Sequence, residues 1–343
     1  MKIIFYTFGD HQMGMGHVER CRVLADLFKQ RLEKSAAIEF LSLDHEEGIK
    51  RIQGFGYCVH KIPLGLSEEE GIARCSNILS KERPDIFIAD ALGVRPDKMA
   101  LFKDSSSYLV SIDDTKEGRL LADIAINGLY YPSEKKEGQL ELIGPEYLIL
   151  RKACSVDNRP DIKIRPGVKR ILVAQGGSDT YGVTTKIARA LEGIDAGVEI
   201  ILLLGSAFKH KDELEAVLRK SGREFKVDED IEDVVGLFST CDIAVTAAGQ
   251  TMCELAAIGV PSIVLTQEYK EIETADRFGE KNLIINLGLS EDISEERIHN
   301  SVAGLIKDYG LRKSISAASR KAIDGLGAER IVEIILEKQG GNR

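Results

Sequence analysis

The run Gly14-Met15-Gly16-His17, with Arg20 close behind, follows the first apolar segment of the chain. Residues 2–8, Lys-Ile-Ile-Phe-Tyr-Thr-Phe, read as a buried strand, and residues 18–31 as a helix. A glycine-rich turn between strand and helix lets a ligand approach the backbone and aims N–H groups at an anion. A histidine placed there adds a titratable group beside a site suited to phosphate. The combination suits phosphate-ester chemistry with an acid or base already in position. Two plainer readings stay open. The spacing Gly14-x-Gly16-x-x-Glu19 lacks the third glycine of the dinucleotide fingerprint, so the turn could be only a tight turn. His17 could be a helix N-terminal residue with no role.

A second constellation lies in the C-terminal half. A strand over 242–246 runs into Ala247-Ala248-Gly249-Gln250-Thr251-Met252-Cys253-Glu254, and the following helix ends at Gly259-Val260-Pro261. Its start offers the N–H groups of Gly249, Gln250 and Thr251 to a phosphate. Glu254, one turn in, could accept hydrogen bonds from two vicinal hydroxyls such as those of a ribose. The competing reading is local: Thr251-x-x-Glu254 has the form of a capping box, which needs no ligand, unless Gly249 or Gln250 is the cap. Asp228-Glu229-Asp230 is an acidic pattern within a run to Asp233 and reads as a solvated loop rather than a metal site. Asp113-Asp114 ends a strand, either facing a cleft or as turn residues. No His/Cys/Asp cluster has structural-zinc spacing, and neither a Walker loop nor a G-x-S-x-G elbow is present.

The elements that must carry these residues alternate. Strands are expected at 37–43, 57–62, 85–90, 108–113 and 123–127, with helices such as 67–83 between most of them. The pattern restarts with a strand at 169–174, the turn Gly176-Gly177-Ser178-Asp179 and a helix at 184–192. Strands follow at 198–204, 242–246, 262–265 and 283–286, and a last helix at 328–338. Such alternation predicts an α/β protein of two doubly wound, Rossmann-like domains facing one another across a cleft, with ligands at the carboxyl ends of the strands. The expected domains are 1–153 and 168–343. The polar stretch 154–167, with Pro160 and Pro166-Gly167, is the linker, and the last helix is expected to reach back to the N-terminal domain.

With 343 residues, 43% of them hydrophobic and 29% charged, the chain has the composition of a globular protein of two ordinary domains. A net charge of −9 and the lack of a dense Lys/Arg stripe argue against nucleic acid as partner. No stretch approaches the roughly 20 apolar residues of a membrane span. The six cysteines form no C-x-x-C pair and, with no export signal, are expected to be reduced thiols of a cytoplasmic protein. The oligomeric state is not legible.

Several segments match one family in order: Gly14-Met15-Gly16-His17-x-x-Arg20, Ile112-Asp113-Asp114, Gly144-Pro145-x-Tyr147-x-x-Leu150-Arg151, Gln175-Gly176-Gly177-Ser178-Asp179, 247–261, and Ile323-Asp324-Gly325-Leu326-Gly327-Ala328-x-Arg330. Over nearly its whole length the chain resembles the nucleotide-sugar hydrolase of pseudaminic acid biosynthesis and its relatives in spore-coat polysaccharide synthesis. The resemblance implies the glycosyltransferase-B fold and a UDP-sugar as small-molecule substrate, with no cofactor and no metal. It implies His17 as the base that activates water at the anomeric carbon. Gly14, Gly16, Arg20, Asp90, Gly176, Gly177 and Ser178 would lie against the substrate. Ala248, Gly249, Gln250, Thr251, Glu254 and Glu271 would hold the nucleotide. Departures from the family pattern are Ala91-Leu92, where the family has a His-Tyr pair, and Glu271, where it has Gln. An inverting glycosyltransferase using the same donor, and a nucleotide-sugar-binding protein without turnover, are the alternatives.

Overall fold

The computed structural model describes residues 1–10, 14–91, 93–114, 116–129, 136–229 and 231–340. Leu92 and Asp230, both touched on by the sequence reading, lie outside the described residues. The chain divides into two compact units. Residues 1–10, 15–149 and 326–340 form unit 1, and Gly14 with 150–325 forms unit 2.

Unit 1 is built from β1 (Lys2–Thr7), α1 (Gly16–Leu32), β2 (Ala37–Leu43), α2 (Glu46–Gly54), β3 (Cys58–Ile62), α3 (Glu68–Glu82), β4 (Ile86–Asp90), α4 (Pro96–Ser105), β5 (Tyr108–Ile112), β6 (Ile124–Asn127) and β7 (Leu140–Ile143). The seven strands are parallel in the order β3-β2-β1-β4-β5-β6-β7. Both faces of the central strands are covered, which is why Ile86-Phe87-Ile88-Ala89 is continuously apolar instead of alternating. The helices between them carry their own stops. Ser67 and Glu70 close a capping box at the start of α3, and Arg83 ends it in the left-handed region.

Unit 2 repeats the scheme with β8 (Arg170–Ala174), α5 (Val183–Ala190), β9 (Glu199–Leu204), α6 (Lys211–Lys220), β10 (Lys226–Glu229), α7 (Val234–Ser239), β11 (Ile243–Ala247), α8 (Gln250–Ile258), β12 (Ser262–Thr266), α9 (Tyr269–Glu280), β13 (Ile285–Leu289), α10 (Glu295–Lys307) and α11 (Tyr309–Ala322). Its six parallel strands run β10-β9-β8-β11-β12-β13.

The final helix α12 (Gly327–Gly340) belongs to unit 1, where Ile331, Val332 and Ile335 join Leu24 and Phe28 of α1 in one buried cluster. Burying such side chains stabilises by roughly 1.5–3 kcal/mol each. Gly327 is required at its start, because a Cβ there would come within 2.3 Å of the Leu148 carbonyl oxygen. The stretch 154–167 is bound along unit 2 rather than spanning as a free tether. Arg159 donates to the carbonyls of Ala257, Arg320 and Ile323, Arg165 pairs with Asp242, and Arg312 donates to the carbonyls of Arg165 and Pro166.

Two strands were not expected from sequence. β7 is only four residues long, and β10 takes in Asp228 and Glu229, which read as loop. β10 is an edge strand, Lys-Val-Asp-Glu, pinned by Lys226–Asp228 and Lys211–Glu229 ion pairs. Charge of that kind keeps an edge soluble and hides its strand character.

Strand order reverses between β1 and β4 in unit 1, and between β8 and β11 in unit 2. In open α/β sheets this is where ligands bind, beyond the carboxyl ends of the strands. The chain leaving β1 carries Gly14–His17, and that leaving β11 carries Ala248–Glu254.

Candidate functional site

At the reversal point of unit 1, β1 and β4 pair so that Thr7 and Asp90 are partners. Helix α1 starts at Gly16 without a side-chain cap, after Gly14 at φ +73°. His17 is therefore in the first helical turn, its side chain 12% exposed, and its Nδ1 lies 2.7 Å from Asp90 Oδ1. One turn on, Arg20 is buried and spreads its fork over two carboxylates. Nε and Nη2 donate to the two Asp90 oxygens at 2.6 Å each, and Nη1 donates to Asp113 Oδ2 at 2.5 Å. Asp113 follows β5 with a left-handed φ of 47°, and its other oxygen accepts from Leu129 N at 3.1 Å. The Cys21 thiol, also on α1, donates to Asp90 Oδ2 at 3.4 Å.

The charges settle accordingly. Burial alone would push the Asp90 carboxyl up, but the Arg20 guanidinium and His17 outweigh it and hold it at about 2. Burial lifts the Asp113 carboxyl above its usual range in spite of Arg20. Burial also raises the Cys21 thiol, which stays protonated and inert. Arg20 and Asp90, which the resemblance sets against substrate, are both buried and bonded to each other, to His17 and to Asp113. They make the bed of His17. Asp114 turns away and accepts from the backbone N–H groups of Gly93 and Lys116.

At the reversal point of unit 2, Gly249 is the N-cap of α8 and no side chain caps the helix. Thr251 is inside the helix, so the capping-box reading of Thr251 and Glu254 is corrected: the cap lies two residues earlier. Glu254 is 2% exposed, and its Oε2 accepts from Arg151 Nη1 at 2.6 Å. Arg151 had appeared in the sequence only as a motif position without a role. The turn after β8 has Gly176 at φ +84° and Gly177 against Gly205, where a Cβ on Gly205 would come within 2.2 Å of the Gly177 carbonyl. Ser178 Oγ lies 3.1 Å from Thr180 Oγ1, and Asp179 accepts from Val183 and Thr184 N–H at the start of α5.

Glu271 sits in the first turn of α9. Its carboxylate accepts from the N–H groups of Gln267 and Glu268 in the capping box of α9, and burial pushes it up. The residue reaching toward the β8 turn is Gln267, with Nε2 at 3.3 Å from Gln175 Oε1 and 3.4 Å from Asp179 Oδ1. Sequence reasoning missed it, because a glutamine at a strand end carries no charge signal.

Among the described residues, Glu39, His60 and Glu82 come close enough together to hold a cation, but the Lys2 ammonium pairs with both carboxylates. No helix among them is long and apolar enough to cross a membrane.

No protein-family model matches the chain. It is similar to the spore coat polysaccharide biosynthesis protein SpsG of Bacillus subtilis, at 28% identity over 343 residues and 98% of each chain. It is also similar to the uncharacterized protein MJ1062 of Methanocaldococcus jannaschii, at 30% identity over 295 residues, 82% of this chain and 59% of that protein. Among solved structures, Acinetobacter baumannii MurG matches with a TM-score of 0.69 at 11% identity, over 98% of this chain and 99% of that one. Anabaena Alr3699/HepE in complex with UDP-glucose matches with a TM-score of 0.67 at 13% identity, over 98% and 100%. Two parallel α/β units in these strand orders, with these neighbours, give the chain the glycosyltransferase-B fold.

Proposed function

We propose that this protein is a nucleotide-sugar enzyme that hydrolyses a UDP-sugar, with unit 2 holding the nucleotide and unit 1 supplying the base. The observation that carries the reading is His17, partly open to solvent and held by a buried carboxylate at the reversal point of unit 1. The similarity to a polysaccharide biosynthesis protein and the UDP-glucose bound to HepE support the choice of substrate class.

In the proposed reaction, His17 takes a proton from water as the water oxygen bonds to the anomeric carbon. The bond from that carbon to the diphosphate oxygen breaks, and its electron pair leaves with UDP. The products are UDP and a free amino- or deoxy-sugar. The diphosphate lies at Ala248–Thr251, where the uncapped start of α8 meets its charge, and the ribose lies at Glu254. Gly14, Gly16, Gly176, Gly177 and Ser178 supply backbone and hydroxyl contacts to the substrate.

A stretch of 142 residues, 40% of this chain, that is 28% identical to a UDP-N-acetylglucosamine-using N-acetylglucosamine transferase of Coxiella burnetii supports a second reading on the same residues, in which His17 deprotonates an acceptor hydroxyl and the sugar is transferred with inversion. A panel of UDP-sugars, read by UDP release, tests both. Release without acceptor is expected. Release only on adding an acceptor establishes transfer, and a UDP-induced thermal shift with no release in either arm leaves binding alone.

A further inference from the structure

We propose that Asp10 and His45, with the Phe8 ring beside them, form the part of unit 1 that reads the sugar. The polar pair takes a ring substituent that donates a hydrogen bond, a hydroxyl or an amide N–H, and Phe8 takes an apolar edge of the sugar. The assignment to sugar rests on the proposed reaction at His17; the cluster itself rests on geometry.

β1 and β2 are parallel neighbours, with Tyr6 opposite Leu41, so the segments leaving them start side by side at the ligand end of the sheet. The first carries Phe8 and Asp10 and leads toward the Gly14–His17 turn. The second carries His45, the residue before α2. His45 Nδ1 lies 3.4 Å from Asp10 Oδ2. The imidazole is tilted only 23° from the Phe8 ring, with 6.4 Å between centres. Packing fixes the group from two sides. Phe8 meets the buried Tyr6 ring edge-on at 5.9 Å, and the Tyr6 hydroxyl accepts from Lys98 Nζ at 2.6 Å. The first turn of α2 sits directly on the chain after β1: a Cβ on Gly48 would come within 2.6 Å of the Gly9 carbonyl oxygen. Side chains locked in this way are preorganised for recognition.

Purely structural roles do not account for the pair. His45 stands at the N-cap of α2, where Ser, Thr, Asp or Asn would cap the helix, yet its side chain makes no capping bond. The His45 and Asp10 side chains are 24% and 18% exposed, and an ion pair that open adds little to stability. Arg20 and Asp90 close one another off; Asp10 and His45 stay within reach of an incoming molecule. A carboxyl group has more acceptor sites than one imidazole fills, whichever of the two holds the proton, so the pair suits a donor on the ligand. A few placed polar groups against an aromatic surface are the usual make-up of a small-molecule site. A pyranose matches both parts, with hydroxyl or acylamino groups on some edges and C–H bonds or a deoxy-sugar methyl on others.

The test is calorimetry with UDP and with uncleavable UDP-sugars, in which CH₂ replaces the anomeric oxygen of UDP-glucose, UDP-galactose and UDP-N-acetylglucosamine. The readout is the margin by which a UDP-sugar binds more tightly than UDP. In the wild type that margin should reach about tenfold or more for at least one sugar. Asp10→Ala and His45→Ala should each remove most of it, while affinity for UDP itself stays within about twofold and the thermal midpoint hardly moves. Phe8→Leu, which keeps an apolar side chain but not the ring, should narrow the margin about threefold. A merely structural role would shift UDP and UDP-sugar together and leave the margin alone. A wild type that binds none of the three sugars more tightly than UDP overturns the proposal, as does a margin unchanged in Asp10→Ala and His45→Ala. Either of these two variants suffices if the other fails to fold. Should the margin fall in them while His17→Ala retains normal UDP release, the reaction at His17 fails and the subsite stands; the opposite pair of results sinks the subsite alone.

Discussion

His17 and Asp90, 73 residues apart in the chain, meet at 2.7 Å because the strands that end beside them are neighbours at the reversal of unit 1's sheet. Asp90 is fully buried, and its carboxyl is held at about 2 against an ordinary 3.8. A carboxyl depressed in the folded state contributes stability that is present above its unfolded value and is lost as pH falls through the folded one. The contribution is about 2 kcal/mol, complete above about pH 5 and lost on descent toward pH 2. Urea midpoints of wild type and Asp90→Asn should therefore differ at neutral pH and converge toward pH 2. A gap that stays constant over that window contradicts the charge account of the pair.

Replacing His17 by Ala should lower UDP release by about 100-fold or more, the scale of a lost general base. UDP affinity, assigned to residues of unit 2, should stay within about twofold of wild type by calorimetry. Turnover close to wild type would remove His17 from the mechanism.

The two doubly wound units were legible because their strands are short apolar runs set between helical patterns, as in Ile86–Asp90 and Ile243–Ala247. The short β7 and the charged edge strand β10 escaped, since neither carries an apolar run. The glycine turns, His17, and the start of α8 were visible as local spacing. What spacing cannot show is where a charge is spent. Spacing does not show that Arg20 is bonded to both Asp90 and Asp113. Glu254 looks like half of a capping box until Arg151, 103 residues away, is seen on its carboxylate. That the Glu271 carboxylate accepts from the start of its own helix is likewise invisible in the spacing.

Glu254→Gln tests the ribose assignment. The amide keeps the size of the side chain and one acceptor, but turns the other acceptor into a donor. If two ribose hydroxyls donate to Glu254, UDP affinity should fall roughly 10- to 150-fold. Affinity within about twofold of wild type would leave Glu254 as the partner of Arg151 and nothing more.

UDP release should persist in excess EDTA. In the proposed reaction the leaving diphosphate is met by the start of α8, which no side chain caps. Activity lost on chelation and restored by Mg²⁺ or Mn²⁺ would show that a cation shares that task.

The most direct measurement is the reaction run in ¹⁸O-water with mass analysis of the UDP formed. Attack by a His17-activated water at the anomeric carbon leaves the diphosphate oxygens untouched, so the account predicts unlabelled UDP, released together with free sugar and without any acceptor. Heavy oxygen in the UDP would mean that water attacks phosphorus, and the proposed reaction would be wrong.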